Sequence, residues 1–415
     1  MSVAWAAYRV VAPWLGALAP GVRWFTPQAE RSLWRERLGE VSSAGVCDAW
    51  IHASSLGEAL AVGPLIGELR ALEPAARFWL TASTRSGRSR LEALGEPVSL
   101  APLDAPQIVA RFFASVRPRR LFLIETELWP HWLLQARAES IPVVALSARL
   151  SAGSVREYRR LGEDFRALVS GVSGVLAQSD ADAQRWLRLG APRDRTCVAG
   201  NLKNDALPWP ASDRGAARGE LGLELERPLL ILGNVRPGEV RKLARAWGRL
   251  PVALRRRWQV VAVPRHPRAV ADLKEEARQA SAAGGSGDAL GAWRWEDRLG
   301  VLTRYYAVAD AAFVGGSLIA YGGHNPLEPA ACGAAVMMGP HHDSQRSGVV
   351  ALEKRSAIRV LEPGEPIDSA LLDWLGDERR LREQGEAARA AIDPLRGVAR
   401  RTVAQLAAWR LWAGR

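Results

Sequence analysis

From Ala49 onward the chain alternates short β-rich apolar runs with stretches of helical pattern, which predicts parallel sheet built from α/β units. In the first half the strand candidates are AWIHA (49 to 53), RFWLTAS (77 to 83), RLFLI (120 to 124), PVVALSA (142 to 148), GVLAQS (174 to 179) and TCVAG (196 to 200). After Asp205 the segment LPWPASDRG reads as a linker, being rich in proline and small polar residues. The alternation then restarts with PLLILGN (228 to 234), WQVVAVPR (258 to 265), AAFVGG (311 to 316), AAVMMG (334 to 339) and AIRVL (357 to 361). Two such halves predict two Rossmann-like domains facing a cleft, with ligands at the carboxyl ends of the strands. The division expected is 1–24 as an N-terminal segment, 25–207 as one domain, 208–395 as the other, and 396–415 as a C-terminal helix crossing back onto the first.

The first 20 residues break this pattern. They are apolar apart from Arg9 and are interrupted by Pro13 and Gly16, which makes them marginal as a membrane span of about 20 residues. Trp5, Tyr8, Trp14 and Trp24, followed by Arg23, Arg31, Arg35 and Arg37, form the aromatic and basic mixture of a segment lying at a lipid interface. An ordinary helix packed on the protein is the other reading. A cleaved signal peptide is disfavoured, because no basic stretch precedes the apolar run.

Charge and cysteine content narrow the classes. A formal net charge of +12 over 415 residues calls for anionic partners. The arginines are spread along helices, and no zinc finger or RNA-binding signature appears, so membrane and phosphate are favoured over nucleic acid. Cys47, Cys197 and Cys332 lie far apart without paired spacing, which suits a reducing, cytoplasmic setting and indicates neither disulfide framework nor zinc site.

Three constellations in the first half carry possible chemistry. HASSLGEAL places His52, Ser55, Gly57 and Glu58 at a strand-to-helix turn, where free N–H groups favour an anion and a carboxylate can take a proton from a hydroxyl. Glu58 complementing the helix dipole is the alternative. LIETELWPHWL puts Glu125 and Glu127 at the end of a buried strand, two apart and so expected to point the same way, with Trp129 and Pro130 opening the next helix. Their desolvation demands a cationic answer, and a structural salt bridge is the plain alternative. GNLKND holds Lys203, one of only four lysines in a chain whose other 52 basic residues are arginine.

In the second half, VPRHPRA pins Arg265 and His266 between Pro264 and Pro267, a rigid cationic strand end suited to phosphate. FVGGSLIAYGGHNPLEPAACG combines two glycine pairs with Ser317, His324, Asn325 and Glu328. The glycine pairs are expected to admit a phosphate closely, and Glu328 to accept hydrogen bonds from ribose. The six histidines are not spaced as a metal set.

Taken in order, RSLWRERLGE, HASSLGE, ETELWP, ARLS, GNLKND, PRHP, ADAAFVGGSL, GGHNPLEPA and MGPH resemble the 3-deoxy-D-manno-octulosonic acid (Kdo) transferases of lipopolysaccharide biosynthesis, over nearly the whole chain. The resemblance implies a GT-B glycosyltransferase that moves Kdo from CMP-Kdo to a lipid A precursor at the cytoplasmic face of the inner membrane, without metal or cofactor. It makes Glu58 the general base and gives Glu125 and Lys203 the task of stabilising the transition state. Pro264 and Arg265 would hold the CMP phosphate region, and Asn325, Pro326, Leu327 and Glu328 the nucleotide, with His52, Ser55, Gly57 and Glu127 supporting the acceptor side.

Departures from the family pattern fall mostly on the donor side. His131 stands where Asn is usual after ETELWP, and GNVRPGE (233 to 239) replaces a segment that normally carries histidine. Leu299, Gly300 and Val301 occupy the nucleotide-binding position of a Met-Gly-Glu, without its acidic group. Two rivals follow: a GT-B-like enzyme of different nucleotide specificity, such as a UDP-sugar 2-epimerase, and a non-catalytic scaffold binding lipid A or nucleotide.

Overall fold

In the computed structural model the described residues are 2–22, 27–42, 45–282 and 293–412; Arg23, Trp24 and most of the loop 281–291 fall outside them. The chain divides into one unit of Met1–Ala206 with Leu395–Arg415 and another of Leu207–Pro394. Each is built on a parallel sheet with helices between its strands.

The first sheet contains β1 (Ala49–His52), β2 (Phe78–Ala82), β3 (Val98–Leu100), β4 (Leu121–Ile124), β5 (Val143–Ala148), β6 (Gly174–Ala177) and β7 (Thr196–Val198), in the order β3-β2-β1-β4-β5-β6-β7. The second contains β8 (Leu229–Val235), β9 (Gln259–Pro264), β10 (Trp293–Trp295), β11 (Ala311–Val314), β12 (Ala335–Met338) and β13 (Arg359–Val360), in the order β10-β9-β8-β11-β12-β13. Central strands such as β1, β4 and β5 are buried at every position, because helices cover both faces of a parallel sheet. The outer strands β3 and β10 escaped the sequence reading. Each has only three residues, β3 following Pro97 and β10 carrying the exposed Arg294, so neither shows a full apolar run.

Strand order reverses between β1 and β4 in the first sheet and between β8 and β11 in the second. Loops leaving the carboxyl ends of strands on either side of such a reversal splay apart, which makes those points natural ligand sites. His52 ends β1 and Ser55, Gly57 and Glu58 follow it, and Glu125 and Glu127 follow β4. Arg236 follows β8, Arg265 follows β9 and Gly315 follows β11.

The N-terminal segment forms one helix, Val3–Val22, that runs through Pro13 and Gly16 rather than breaking there. The Pro13 carbonyl accepts from the Gln107 amide at 2.8 Å, which ties this part of the helix to its neighbour. At Gly16 a Cβ would lie 2.5 Å from that of Ala105, so glycine lets the helix lie close against the start of Pro106–Val116. Trp5, Ala12 and Ala19 are buried beneath it, while Val3, Val10, Trp14 and Leu18 are exposed. Among the described residues, no helix is long and apolar enough to cross a membrane.

At the other end, Val398–Ala408 packs on the Leu56–Leu72 helix of the first unit. Beyond it Trp412 is fully buried, stacked on Phe78 at 5.9 Å, with its indole N–H donating to the Leu69 carbonyl at 3.0 Å.

Candidate active site

The site in the first unit begins at the turn after β1. Ser55 has extended backbone and caps the Leu56–Leu72 helix, its hydroxyl accepting from the Glu58 N–H. Glu58, on the first turn of that helix, reaches back: one carboxylate oxygen accepts from the Ser54 N–H at 2.7 Å and the other from the Ser55 hydroxyl at 2.9 Å. This resembles a capping box, with the returning bond on the residue before the cap. Its electrostatics are those of an acid–base group. Burial first, then the neighbouring Glu125 and to a lesser degree Glu127, push the Glu58 carboxyl up to about 7 against the pull of its two serine hydrogen bonds.

The expectation that Glu125 and Glu127 point the same way is not met. β4 ends at Ile124, and Glu125 adopts a left-handed backbone with φ of 62°, so strand alternation no longer governs either side chain. Glu125 turns to Lys203, whose ammonium lies 2.5 Å from it, and the Gln178 amide adds a longer contact at 3.4 Å. Lys203 lies in a turn after β7, where its N–H donates to the Asn201 side chain. It also lies over the start of the Leu56–Leu72 helix: a Cβ on Gly57 would be 3.6 Å from its ammonium. The rare lysine thus supplies the cation that Glu125 requires on burial.

Glu127 turns instead to His52 and Trp129. The Trp129 indole donates to it at 2.7 Å, and His52 Nε2 comes within 3.4 Å, off the line a hydrogen bond needs, so that attraction is electrostatic. Thr81 accepts from the Trp50 indole at 2.7 Å and lies within hydrogen-bond distance of His52 Nδ1 at 2.8 Å. Burial pushes the Glu127 carboxyl up, but His52, Trp129 and Ser54 outweigh it and hold the group below its usual value.

His131, at the start of Pro130–Ala138, is bound to the N-terminal helix. Its N–H donates to Asp104 at 3.0 Å, Asp104 also accepts from the Tyr8 hydroxyl, and the Tyr8 and His131 rings stack at 5.1 Å.

In the second unit, Arg265 and His266 are exposed just beyond β9, with the Arg265 N–H donating to the Val235 carbonyl at 3.1 Å. Next to Val235 stands Arg236, which the sequence reading passed over as part of a segment that had lost its histidine. Its guanidinium lies over the Tyr321 ring at 4.8 Å and donates to His324 at 3.4 Å. Burial, with the charges of Arg265, Arg236 and His266, pushes the His324 imidazole down to about 4, so it is neutral and accepts that hydrogen bond. Among the described residues, neither Arg236 nor Arg265 has a carboxylate within ion-pair distance. Unanswered guanidinium groups of this kind suit a phosphate or carboxylate ligand.

The Asn325 side chain accepts from the Leu327 N–H at 3.1 Å and donates to Glu328 at 3.3 Å. Pro326 precedes the short helix Leu327–Ala331 on which Glu328 sits. Burial raises the Glu328 carboxyl above its usual value, opposed by Asn325 and Arg265. Leu299, Gly300 and Val301 form the turn before Leu302–Tyr306, with Leu299 81% exposed.

The expectation for the first glycine pair is overturned. The N–H groups of Gly316, Ser317 and Leu318 all donate to the fully buried Glu239, at 2.7, 2.8 and 2.8 Å, and the Arg236 N–H joins them at 3.1 Å. A carboxylate of the protein itself fills the nest that a phosphate was expected to enter. Gly315 is needed for packing, since a Cβ there would lie 2.6 Å from the Asn234 carbonyl oxygen.

Residues 32–206 match the family model described as 3-Deoxy-D-manno-octulosonic-acid transferase (kdotransferase). The chain is 36% identical over 391 residues to the 3-deoxy-D-manno-octulosonic acid transferase of Bordetella pertussis, covering 87% of each chain. It is 32% identical to that of Haemophilus influenzae, covering 70% of each. Among solved structures, UDP-GlcNAc 2-epimerase from Neisseria meningitidis superposes with a TM-score of 0.59 at 13% identity, over 87% of this chain and 99% of that one. A glycosyltransferase from Rickettsia africae gives 0.57 at 10%, over 88% and 99%. At such identities the structural likeness is of fold alone, that of GT-B enzymes with two parallel-sheet domains. The sequence relationship is far closer, and by it the chain belongs to the 3-deoxy-D-manno-octulosonic acid transferases.

Proposed function

We propose that this enzyme transfers Kdo from CMP-Kdo to a hydroxyl of a lipid A precursor with inversion, using Glu58 as general base. The observation that carries the proposal is the Glu58 carboxyl, held by two serine hydrogen bonds yet pushed up to about 7, the range in which a base both ionises and accepts a proton effectively at neutral pH. The acceptor oxygen forms the new bond to the anomeric carbon of Kdo and gives its proton to Glu58. The bond from that carbon to the CMP phosphate oxygen breaks, and CMP leaves with the electron pair.

Glu125 holds the Lys203 ammonium over the start of the Glu58 helix, where that charge stabilises negative charge developing on the reacting groups. Donor binding is assigned to the second unit, with Arg265 and Arg236 on the phosphate and Asn325 to Glu328 on the nucleoside. These guanidinium groups take the place of a metal in meeting the charge of the leaving CMP. The exposed apolar residues of the N-terminal helix hold the enzyme at the inner membrane from the cytoplasmic side.

Glu58→Gln tests the assignment. It keeps shape and hydrogen bonding but cannot take a proton, so turnover should fall by about 10² to 10⁴-fold or more with CMP binding unchanged. Transfer at near wild-type rate would remove Glu58 from the mechanism.

A further inference from the structure

Alongside the N-terminal helix runs a groove of about 730 Å³, within the range of small-molecule sites. Ala7, Val11 and Leu15 of the helix line it together with Trp34, Leu103 and Trp129. Tyr8 and Asp104 are the polar side chains in its lining that titrate, and they are hydrogen-bonded to each other, with Asp104 also accepting from the N–H groups of His131 and Trp132. What remains is an apolar channel.

Trp129 and Tyr8 also line a second pocket of about 260 Å³ that includes Thr126 and Glu127. Trp129 is 41% exposed, and its indole N–H is held by Glu127. It therefore marks the boundary where an apolar channel meets a polar, carboxylate-bearing site. The apolar surface of the helix is also wider than the groove requires: Val3, Val10 and Trp14 are exposed at 86%, 62% and 68% and do not line it. One edge of the helix is thus free for a bilayer while the other is committed to the groove.

We infer that this groove binds one acyl chain of the acceptor, withdrawn from the bilayer, and so sets the sugar head group beside Glu127 and Glu58. The inference rests on the acceptor being a lipid A precursor. An acyl chain suits the site because it is linear, apolar and covalently joined to the polar sugar that the adjoining carboxylate pocket takes.

Two variants test it in the full chain. Ala7→Phe fills the groove, and Leu15→Ser removes apolar surface at a position 62% exposed, where folding is little affected. Each should raise KM for a tetra-acylated disaccharide acceptor by about 10-fold or more, the scale of one apolar side chain's burial. KM for an O-deacylated acceptor and for CMP-Kdo should not move. Binding of Ala7→Phe to phosphatidylglycerol vesicles should match wild type, and quenching of tryptophan fluorescence by a dibrominated stearate should be weaker than in wild type. An unchanged KM for the acylated acceptor in Leu15→Ser overturns the groove, as does vesicle binding that falls in step with acceptor affinity, which would make this face a bilayer contact only. If wild-type protein transfers no Kdo, the transferase reading fails instead; the stearate quenching then decides the groove by itself.

Discussion

Glu58→Gln should make the protein more stable at alkaline pH while it abolishes turnover. The rise of the Glu58 carboxyl from 4.5 to about 7 corresponds to about 3 kcal/mol of preference for the neutral form in the folded state. Because the folded value lies above the unfolded one, the native protein holds the extra proton between about pH 4.5 and 7. Stability from this group is therefore greatest at the acidic end, falls as pH rises through that window and stays low above it. Glutamine is neutral throughout and keeps an oxygen for the Ser54 N–H. Wild type and variant should differ little at pH 5, where Glu58 is mostly protonated, and at pH 8 the variant should be ahead by about 1 to 3 kcal/mol. For a unit of this size that is a melting midpoint several degrees higher. Thermal melts of both proteins at pH 5 and pH 8 measure the difference directly, other titrating groups cancelling between them. A capping role alone predicts the opposite sign, a loss of about 0.5 to 2 kcal/mol at both pH values. A variant less stable by the same amount at pH 5 and pH 8 would refute the reasoning.

Other consequences follow from the same contacts. Turnover should climb with pH through about 7 and level above it, because the base must be ionised; Glu125→Gln, which removes the largest electrostatic contribution to the raised value, should move that limb to lower pH, and an unmoved limb in a pH–rate profile would detach Glu125 from Glu58. Arg236→Ala should weaken CMP binding about 10-fold or more by calorimetry without changing the melting midpoint by more than a degree or two, whereas unchanged affinity would take Arg236 out of the donor site. Glu239→Ala strands several buried N–H groups at about 1 to 3 kcal/mol each, so the second unit should melt far earlier, and a variant of normal stability would contradict the nest described here. Activity should survive excess EDTA, and loss restored by magnesium would replace the guanidinium groups with a metal.

Much of the architecture was legible because buried parallel strands write themselves as uninterrupted apolar runs, and β1, β4 and β5 do so. Glu58 was legible for a local reason: Ser55 three residues before it marks a helix start after a strand. What failed depended on contacts remote in sequence or on a single backbone angle. The left-handed φ of Glu125 sends it to Lys203 and leaves Glu127 to His52, a split that alternation could not foresee. The glycines at 315 and 316 have the composition of a phosphate loop, and only the fold brings Glu239 from 77 residues away to occupy their N–H groups. Pro13 predicts a break because it lacks an N–H, but the helix continues through it where it packs on Pro106–Val116, tied there by the Gln107 amide on the Pro13 carbonyl.

The buried Trp412 bears on how the protein is made. Residues 49 to 206 leave the ribosome with every strand of the first sheet present, yet the face beside β1 and β2 stays unsealed until Val398 to Trp412 emerge about two hundred positions later. At about 5 to 20 residues per second, that is an interval of about 10 to 40 s. During it the growing chain exposes the apolar patch that Phe78, Phe122 and the Leu56–Leu72 helix present to the missing indole, a surface well suited to chaperone capture. Truncation ahead of Trp412, or its replacement by alanine, should accordingly harm yield of the first unit while leaving the chemistry of the second intact.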